Sequence, residues 1–252
     1  MNAILLAAGY GTRLYPLTRG TPKPLLDVGG RPIIDRLVER LDQVPEITRM
    51  VLVSNERFAA QFREWQAGLA LRVPVEVISD GSTENDNRLG AVADIQFAVE
   101  QCGLAGEGAY VMATDNLPRF DLRDLLEPWR RDGVSAVFAC RVTDRGQLTR
   151  MGVAELDAEG WIVGFEEKPE QPRGEFRVPP FYLYTADAVA GLRAFLAEGG
   201  SADAPGHYLA WWVRCGSVQA VRRDEGTYDI GTLESYRAVC AEFDRVADAP
   251  DA

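Results

Sequence analysis

The stretch AILLAAGYGTRLYPLTRGTPKPLL spans residues 3–26 and decides the fold that we expect for this chain. Residues 3–7 form a continuous apolar run, which is typical of a strand buried on both faces of a sheet. Gly9 and Gly11 follow at once, and their missing Cβ atoms allow a sharp turn that aims backbone N–H groups at an anion. The segment therefore predicts an α/β protein with a glycine-rich loop after its first strand.

Hydrophobic periodicity extends this pattern along the chain. Apolar runs predict strands at 3–7, 50–53, 75–78, 110–113, 136–142, 152–156, 161–165 and 181–184. Amphipathic patterns predict helices at 33–41, 58–65, 89–99, 187–196, 208–213 and 233–243. Strands that alternate with helices imply right-handed crossovers and a mostly parallel sheet. We expect one compact domain over residues 1–246 and a short disordered tail at 247–252.

The composition restricts the partners that we expect. A net charge of −11 argues against a nucleic-acid-binding surface, which usually carries a basic face. No apolar run is long enough to span a bilayer, and no charged leader precedes the first one. The four cysteines show no CxxC spacing, and the single histidine, His207, is interpreted as structural or substrate-lining. We therefore expect a cytoplasmic protein with neither a nucleic-acid nor a membrane partner.

Lysine is rare in this chain. Only Lys23 and Lys168 occur among the 27 basic residues, and each adjoins a proline. Lysine is a compact point charge that can approach a phosphate without the planar fork of arginine. The neighbouring proline fixes the backbone, so that the side chain can be aimed. Both lysines are therefore predicted to have a chemical role beside anionic groups.

The loop after the first strand does not fit the common nucleotide-binding motifs. It is no Walker A motif, since no Gly-Lys-Ser/Thr follows, and Leu14 stands where a dinucleotide fingerprint has its third glycine. Ser54-Asn55 ends the second predicted strand, where an acidic residue would take the ribose of a nicotinamide cofactor. An oxidoreductase is therefore disfavoured.

Two acidic residues stand where strands end or helices begin. Asp115 follows the predicted strand at 110–113, and Asp229 precedes the predicted helix at 233–243. A carboxylate at the carboxyl end of a strand is well placed to hold a divalent cation against substrate phosphates. Both residues are also compatible with ordinary turn and helix-start roles.

Taken together, these segments resemble the sugar-1-phosphate nucleotidyltransferases. Residues 6–26 resemble the signature of that family, and the similarity continues in the family's order through four further motifs. These are Arg88-Leu89-Gly90, Asp115, Phe165-Glu166-Glu167-Lys168-Pro169 and Asp229-Ile230-Gly231-Thr232. The resemblance implies a doubly wound, mostly parallel, Rossmann-like mixed sheet in a single α/β domain of the nucleotide-diphospho-sugar transferase type.

The resemblance also implies substrates and site residues. A nucleoside triphosphate, dTTP or UTP by preference, would react with a sugar 1-phosphate to give a nucleotide sugar and pyrophosphate, in a possible homo-oligomer. The implied nucleotide-binding residues are Ala8, Gly9, Gly11, Thr12 and Gly90, with Arg13 and Lys23 as the catalytic cations. The implied sugar-phosphate residues are Gly152, Glu167 and Lys168. Asp115 and Asp229 would hold Mg²⁺.

Two departures from the family pattern concern the sugar side. Met151 replaces a common tyrosine, and Pro179-Pro180 occupy a segment that usually contains a small residue and a glycine. One hypothesis is that they permit an unusual sugar or cyclitol phosphate as acceptor, and the alternative is a harmless variation of the loop. The alternatives are a cytidylyl- or guanylyltransferase for another phosphate, including an alditol phosphate, and a non-catalytic nucleotide-sugar sensor on the same fold.

Overall fold

The computed structural model describes residues 1–247, without the side chains of Asp229, Val246 and Ala247. Its strands are β1 (Asn2–Ala7), β2 (Arg49–Ser54), β3 (Val75–Ser79), β4 (Ala109–Ala113), β5 (Asn116–Pro118), β6 (Ser135–Arg141), β7 (Gly152–Leu156), β8 (Ile162–Glu167), β9 (Phe176–Val178), β10 (Phe181–Tyr184), β11 (Val218–Arg223) and β12 (Thr227–Asp229). Its helices are α1 (Ile33–Asp42), α2 (Glu56–Ala67), α3 (Ala91–Gln101), α4 (Leu126–Asp132), α5 (Arg145–Leu148), α6 (Ala186–Ala197), α7 (Pro205–Trp212) and α8 (Leu233–Ala247).

A ten-stranded mixed sheet forms the centre of the molecule, in the order β3-β2-β1-β4-β10-β6-β9-β7-β8, with β11 beside β6. Strands β3, β2, β1 and β4 are mutually parallel, and β10 then runs antiparallel to β4. The chain leaves β1 towards β3 and returns to the other side of β1 as β4. This reversal of strand order creates the crevice where ligands bind in open α/β sheets.

Helices cover both faces of the sheet, which confirms the doubly wound α/β fold. Successive residues of β1 point to opposite faces, so that Leu5 packs with α1, α2 and α4 while Ile4 packs with α3, α6 and α7. A third, smaller cluster joins α8 to the segment that follows the glycine loop, through Leu14, Leu26 and Val239. None of the helices in residues 1–247 is long and apolar enough to cross a membrane.

The predicted elements are present, with shifted ends and some omissions. The third helix begins at Ala91 instead of Leu89, because Gly90 has φ +96°, outside the helical region. The sequence prediction missed six elements. These are the strands β5, β9, β11 and β12 and the helices α4 and α5. The tail predicted at 247–252 lies outside the described residues, except for Ala247, which ends α8.

A buried asparagine connects the first loop to the helix layer. Asn55 is fully buried and caps α2 by accepting a hydrogen bond from the Phe58 N–H at 3.0 Å. Its amide donates to the carbonyl of Ala8 at 2.9 Å. One side chain thus satisfies the start of α2 and fixes the backbone where β1 opens into the glycine loop.

We expect Asn55→Ala to lower the free energy of unfolding by about 2 kcal/mol, because it removes a helix cap and leaves the Ala8 carbonyl without its donor. Urea denaturation measures this loss. Thr185→Ala, which removes the cap of α6, is the matched control, because it should cost stability without disturbing the loop. If the loop binds the nucleotide that the sequence resemblance implies, equal nucleotide affinity in the two variants would show that Asn55 does not position the loop.

One carboxyl group lies within the packed layer beside the sheet. Asp94 on α3 is 5% exposed, and burial together with the neighbouring Asp80 carboxyl raises its pKa to about 8. In an unfolded chain the pKa of an aspartate is about 3.9. The folded protein therefore binds a proton at Asp94 that the unfolded chain releases between these two values.

The stability of the wild-type protein is accordingly expected to fall as pH rises from about 4 to about 8, by at most about 1.4 kcal/mol per pH unit from this group. Above about 8 the contribution should level off, since both states are then ionised. Chemical denaturation across this range should give a flatter profile for Asp94→Asn. Parallel profiles for the two proteins would contradict the assignment.

Candidate active site

The glycine loop presents a free polar surface at the carboxyl end of β1. Gly11 has φ +59°, a left-handed conformation, and its carbonyl accepts a hydrogen bond from the Thr18 hydroxyl at 2.8 Å. A Cβ on Gly9 would meet no atom within 4 Å, so the space beside it is open. Gly9, Thr12 and Arg13 are exposed. The loop can therefore receive a polyphosphate without rearrangement of the core.

Lys23 lies beside this loop and is almost completely enclosed. Pro22 and Pro24 flank it in a short 3-10 turn, and 9% of its side chain remains exposed. Its Nζ contacts Asp115 Oδ2 at 2.8 Å. Because β4 pairs with β1, Asp115 follows β4 directly next to the loop. The structure thus brings together the ends of two central strands and the predicted catalytic lysine.

Asp115 is held as a carboxylate. Partial burial alone would raise its pKa, but the Lys23 ammonium and a hydrogen bond from the Asn116 amide at 2.7 Å to Oδ1 hold the pKa of Asp115 below its ordinary value. Some 38% of the side chain stays exposed, so the carboxylate can still be approached from the crevice. An ionised, accessible carboxylate is the form that a divalent cation requires.

Backbone pairing places Asp229 in the same region as Asp115. The short strands β5 and β12 pair antiparallel, and Asp229 lies opposite Asn116, next to Asp115 in the chain. No cluster of three metal-ligating side chains exists within the described part of the chain. Mg²⁺ at phosphate-transfer sites commonly takes one or two carboxylates together with substrate oxygens. The donor set around Asp115 fits that mode.

A second group of predicted residues lies together on β7 and β8. Gly152 is paired opposite Glu167, and a Cβ at position 152 would come within 3.1 Å of Glu167 Oε2. Lys168 follows β8, with its Nζ 3.7 Å from Glu167 Oε1. The structure therefore brings Gly152, Glu167 and Lys168 into one cluster, as the sequence resemblance implies.

Lys168 has an unusual backbone. With φ +48°, it is the one non-glycine residue between positions 1 and 247 in the left-handed region. Its N–H donates to the Met151 carbonyl at 3.0 Å, which holds this conformation in place. A left-handed φ costs a non-glycine residue free energy, and such residues are concentrated at functional sites. The Lys168 side chain is 57% exposed, so that its ammonium group is accessible to a ligand.

Glu167 is surrounded by protein on three sides. Burial raises the pKa of its carboxyl, while Lys168 and His207 oppose the rise. Its side chain is 11% exposed, and a Cβ on Gly206 would overlap its Oε2. His207, on the first turn of α7, thus lies near the predicted sugar-phosphate cluster, and its interpretation as structural or substrate-lining stays a prediction.

The sequence did not single out Asp203, which lies near Arg88, Lys168 and His207. Arg88 donates to Asp203 Oδ1 at 2.7 Å. This bond, with the charges of Lys168 and His207, lowers the pKa of Asp203. Arg88 belongs to the Arg88-Leu89-Gly90 motif, but Asp203 lies 115 positions away in the sequence. No local pattern predicts such a contact. A 570 Å³ cavity opens here, lined by Asn85, Asp86, Arg88, Leu89, Gly90, Ser201, Ala202 and Asp203.

Gly90 has a structural reason to lack a side chain. A Cβ at this position would lie 2.6 Å from the Ala202 carbonyl oxygen. The carbonyls of Ala202 and Asp203 accept hydrogen bonds from the first N–H groups of α3, those of Val92 and Ala91. Close approach of this segment is by itself a sufficient reason for the glycine. Its role in nucleotide binding stays a prediction.

The two prolines on the sugar side form the turn between β9 and β10. The Pro180 carbonyl accepts a hydrogen bond from the Ala113 N–H at 3.1 Å, near the end of β4. Pro179 is buried and Pro180 half-buried. The altered segment is therefore anchored against the strand that carries Asp115, so that its rigid turn belongs to the wall of the crevice.

Comparison with known proteins places this geometry in a family. A sequence model described as nucleotidyl transferase matches residues 2–245. A glucose-1-phosphate thymidylyltransferase from Actinoplanes sp. is 34% identical over 77% of this chain, which spans only 61% of that enzyme's length. UTP–glucose-1-phosphate uridylyltransferase AglF from Haloferax volcanii is 26% identical over 93% of both chains. A mannose-1-phosphate guanylyltransferase catalytic subunit beta from Drosophila melanogaster is 30% identical over 68% of this chain and 44% of its own.

The fold agrees with these sequence matches. A solved structure from Bacillus anthracis, described as a candidate glucose-1-phosphate thymidylyltransferase, superposes with a TM-score of 0.80. It covers 100% of this chain and 97% of its own, at 24% identity, and so supports the fold alone. With the family match extending from β1 to α8, the chain belongs to the nucleotidyl transferase family.

Proposed function

We propose that the protein transfers a nucleotidyl group from a nucleoside triphosphate to a sugar 1-phosphate, releasing pyrophosphate. The observation that carries this proposal is the Lys23–Asp115 pair beside the open glycine loop. It combines a buried, aimed cation with an accessible carboxylate at the crevice where phosphates bind in this fold. Glu167 and Lys168 supply a second polar cluster for the acceptor.

The reaction needs charge neutralisation more than proton transfer. An oxygen of the sugar phosphate attacks the α-phosphorus in line, a new P–O bond forms, and the bond to pyrophosphate breaks. The nucleophile is already an anion near neutral pH, so no general base is required. Catalysis then consists of positioning two anions and stabilising the charge that develops between them.

The cations are assigned by their positions. Lys23 stabilises the charge on the α-phosphate and the departing pyrophosphate, and Arg13 faces the outer phosphates from the exposed side of the loop. Lys168 binds the phosphate of the acceptor, with Arg88 and His207 close by around Asp203. Glu167 positions the sugar by accepting hydrogen bonds from its hydroxyl groups.

Magnesium is the cofactor that we propose. Asp115 and Asp229 would hold it, and the bound ion would supply positive charge that offsets the phosphates of both substrates. Asp115 is already ionised by its contact with Lys23, as a metal ligand must be.

The identities of the two substrates depend on the rest of the crevice. The resemblance favours dTTP or UTP, and two of the relatives named above use a thymidylyl or uridylyl group, but a third uses a guanylyl group. The family relationship therefore does not decide the base. On the acceptor side, Met151 and the buried Pro179-Pro180 turn favour a sugar or cyclitol phosphate other than glucose 1-phosphate.

Lys23→Arg is expected to keep the fold and to lower kcat by about 100-fold or more, because the planar guanidinium cannot replace a point charge in a tightly enclosed site. Steady-state pyrophosphate release measures the effect, and an unchanged thermal midpoint controls for folding. Activity close to that of the wild type would remove Lys23 from the catalytic machinery.

The proposed reaction is tested by pyrophosphate release from ATP, GTP, CTP, UTP or dTTP, each combined with a panel of sugar and cyclitol 1-phosphates. Release that needs both substrates and disappears with EDTA is the expected result. Nucleotide binding without release for any acceptor would favour a nucleotide-sugar sensor. Absence of both binding and release would refute the proposed function.

A further inference from the structure

The carboxylate of Asp115 is bound on both of its oxygens by other side chains. The Lys23 ammonium contacts Oδ2 at 2.8 Å, and the Asn116 side-chain amide donates to Oδ1 at 2.7 Å. A carboxylate oxygen that accepts a hydrogen bond from an ammonium group is already compensated by a full positive charge. The residue proposed above as a metal ligand therefore carries a cation that belongs to the protein itself.

The Lys23 ammonium and a divalent cation compete for this carboxylate. Both would contact the same pair of oxygens, and like charges repel each other strongly at such short range. The Lys23 side chain is 9% exposed, so that water and dissolved salt screen this repulsion poorly. Mg²⁺ that arrives without a nucleotide would therefore have to displace Lys23 from Asp115 in order to bind there.

Displacement of Lys23 is unfavourable unless another anion replaces Asp115 as its partner. Among the side chains that the structure describes, Asp115 is the one carboxylate in contact with the Lys23 Nζ. An ammonium group that loses its anion inside an enclosed site costs free energy, because the water that it lost on folding is not restored. The cation on Asp115 is therefore exchanged readily only when a second anion is close to Lys23.

The glycine loop is the place from which such an anion would approach. It follows β1, which pairs with the strand β4 that precedes Asp115, and the space beside Gly9 is open. Two prolines fix the backbone of Lys23, and its carbonyl accepts a hydrogen bond from the Leu26 N–H at 3.1 Å. The flexible stem of a lysine moves its ammonium group between acceptors by rotamer changes alone. Lys23 can therefore change partners while its backbone stays in place.

We propose that Lys23 is the resident cation of Asp115 and yields this carboxylate to Mg²⁺ only when substrate phosphates enter the glycine loop. The inference rests on the proposed nucleotidyl transfer and adds an order of events to it. Lys23 exchanges the carboxylate of Asp115 for a phosphate oxygen, and this exchange makes and breaks ionic contacts only. Metal binding and nucleotide binding are thereby coupled, and each raises the affinity for the other by the same factor.

A purely structural ion pair would respond differently to the removal of Lys23. If Lys23 only held Asp115 in position, its removal would lower the affinity of the protein for a divalent cation or leave it unchanged. If Lys23 competes with the cation, its removal raises that affinity. The direction of the change separates the two roles, because damage to the fold does not create a tighter metal site.

The experiment is a titration of the full chain with Mn²⁺ and without nucleotide, in which electron paramagnetic resonance measures the unbound ion. Lys23→Met removes the charge and keeps an apolar stem. This variant is expected to bind Mn²⁺ at least about tenfold more tightly than the wild type, because the competing cation is gone. Equal or weaker binding of Mn²⁺ by folded Lys23→Met would overturn the inference.

Two further variants connect the gain in affinity to this ion pair. Arg193→Met, on the exposed side of α6, removes the same unit charge and is the matched control, which should bind Mn²⁺ as weakly as the wild type. Adding Asp115→Asn to Lys23→Met should abolish the gain, since the two side chains act on each other. A similar gain in Arg193→Met, or a gain that survives Asp115→Asn, would refute the role of Lys23 on Asp115.

A second measurement decides the question if Lys23→Met does not fold. The wild type contains only two lysines, so that selective lysine labelling gives two side-chain signals in an NMR spectrum, and the signal absent from Lys23→Arg belongs to Lys23. Mg²⁺ alone should leave this signal in place, whereas Mg²⁺ with inorganic triphosphate, which carries a phosphate chain without a base, should shift it. A shift with Mg²⁺ alone, or no shift in either condition, would contradict the exchange.

The proposed function and the exchange at Asp115 fail separately, because the Mn²⁺ titration contains no nucleotide. Pyrophosphate release together with unchanged Mn²⁺ affinity in Lys23→Met leaves nucleotidyl transfer standing and removes the exchange. Tighter Mn²⁺ binding by Lys23→Met without pyrophosphate release from any nucleotide leaves the competition at Asp115 standing and removes nucleotidyl transfer.

Discussion

The contact between Lys23 and Asp115 is the interaction on which the candidate active site depends. Removing an ammonium group from water is costly unless a carboxylate compensates it at close range. Lys23 is nearly enclosed, so its segment must lie against the end of β4, where Asp115 is found. The glycine loop, the proline-flanked turn and β12 opposite Asn116 are arranged around that requirement. The ion pair between Lys23 and Asp115 thus lies where segments from three parts of the sequence meet.

This arrangement bears on how an acidic protein would attract the anionic substrates proposed above. The net charge of −11 belongs to the whole chain, whereas binding depends on the local field. Arginines away from the crevice are commonly paired at the surface, for example Arg49 with Glu76 and Arg130 with Glu46. Near the proposed acceptor cluster, the carboxylates of Asp203 and Glu167 face Arg88 and Lys168, respectively. An entering phosphate can compete for those cations.

The sequence was informative where signals are local. Continuous apolar runs identified β1 to β4, and helical periodicity identified α1, because both patterns follow from burial of one short segment. The positions of Asp115 and Lys168 followed from motifs beside those elements. Pairing of β11 with β6 joins residues more than 80 positions apart and leaves no periodic trace in either strand. The same holds for Arg88 with Asp203, and for Asp94, whose burial arises from the packing of α3 and not from its neighbours in sequence.

The segment at Ala202 and Asp203 has a consequence for how this protein could be altered by design or by evolution. Its carbonyls complete the start of α3, and its carboxylate lies beside Arg88. Substitutions that reshape this segment would also shift the first turn of α3. The cavity beside Arg88 and the start of α3 are therefore not independent, and a change in one is expected to require compensating substitutions in the other.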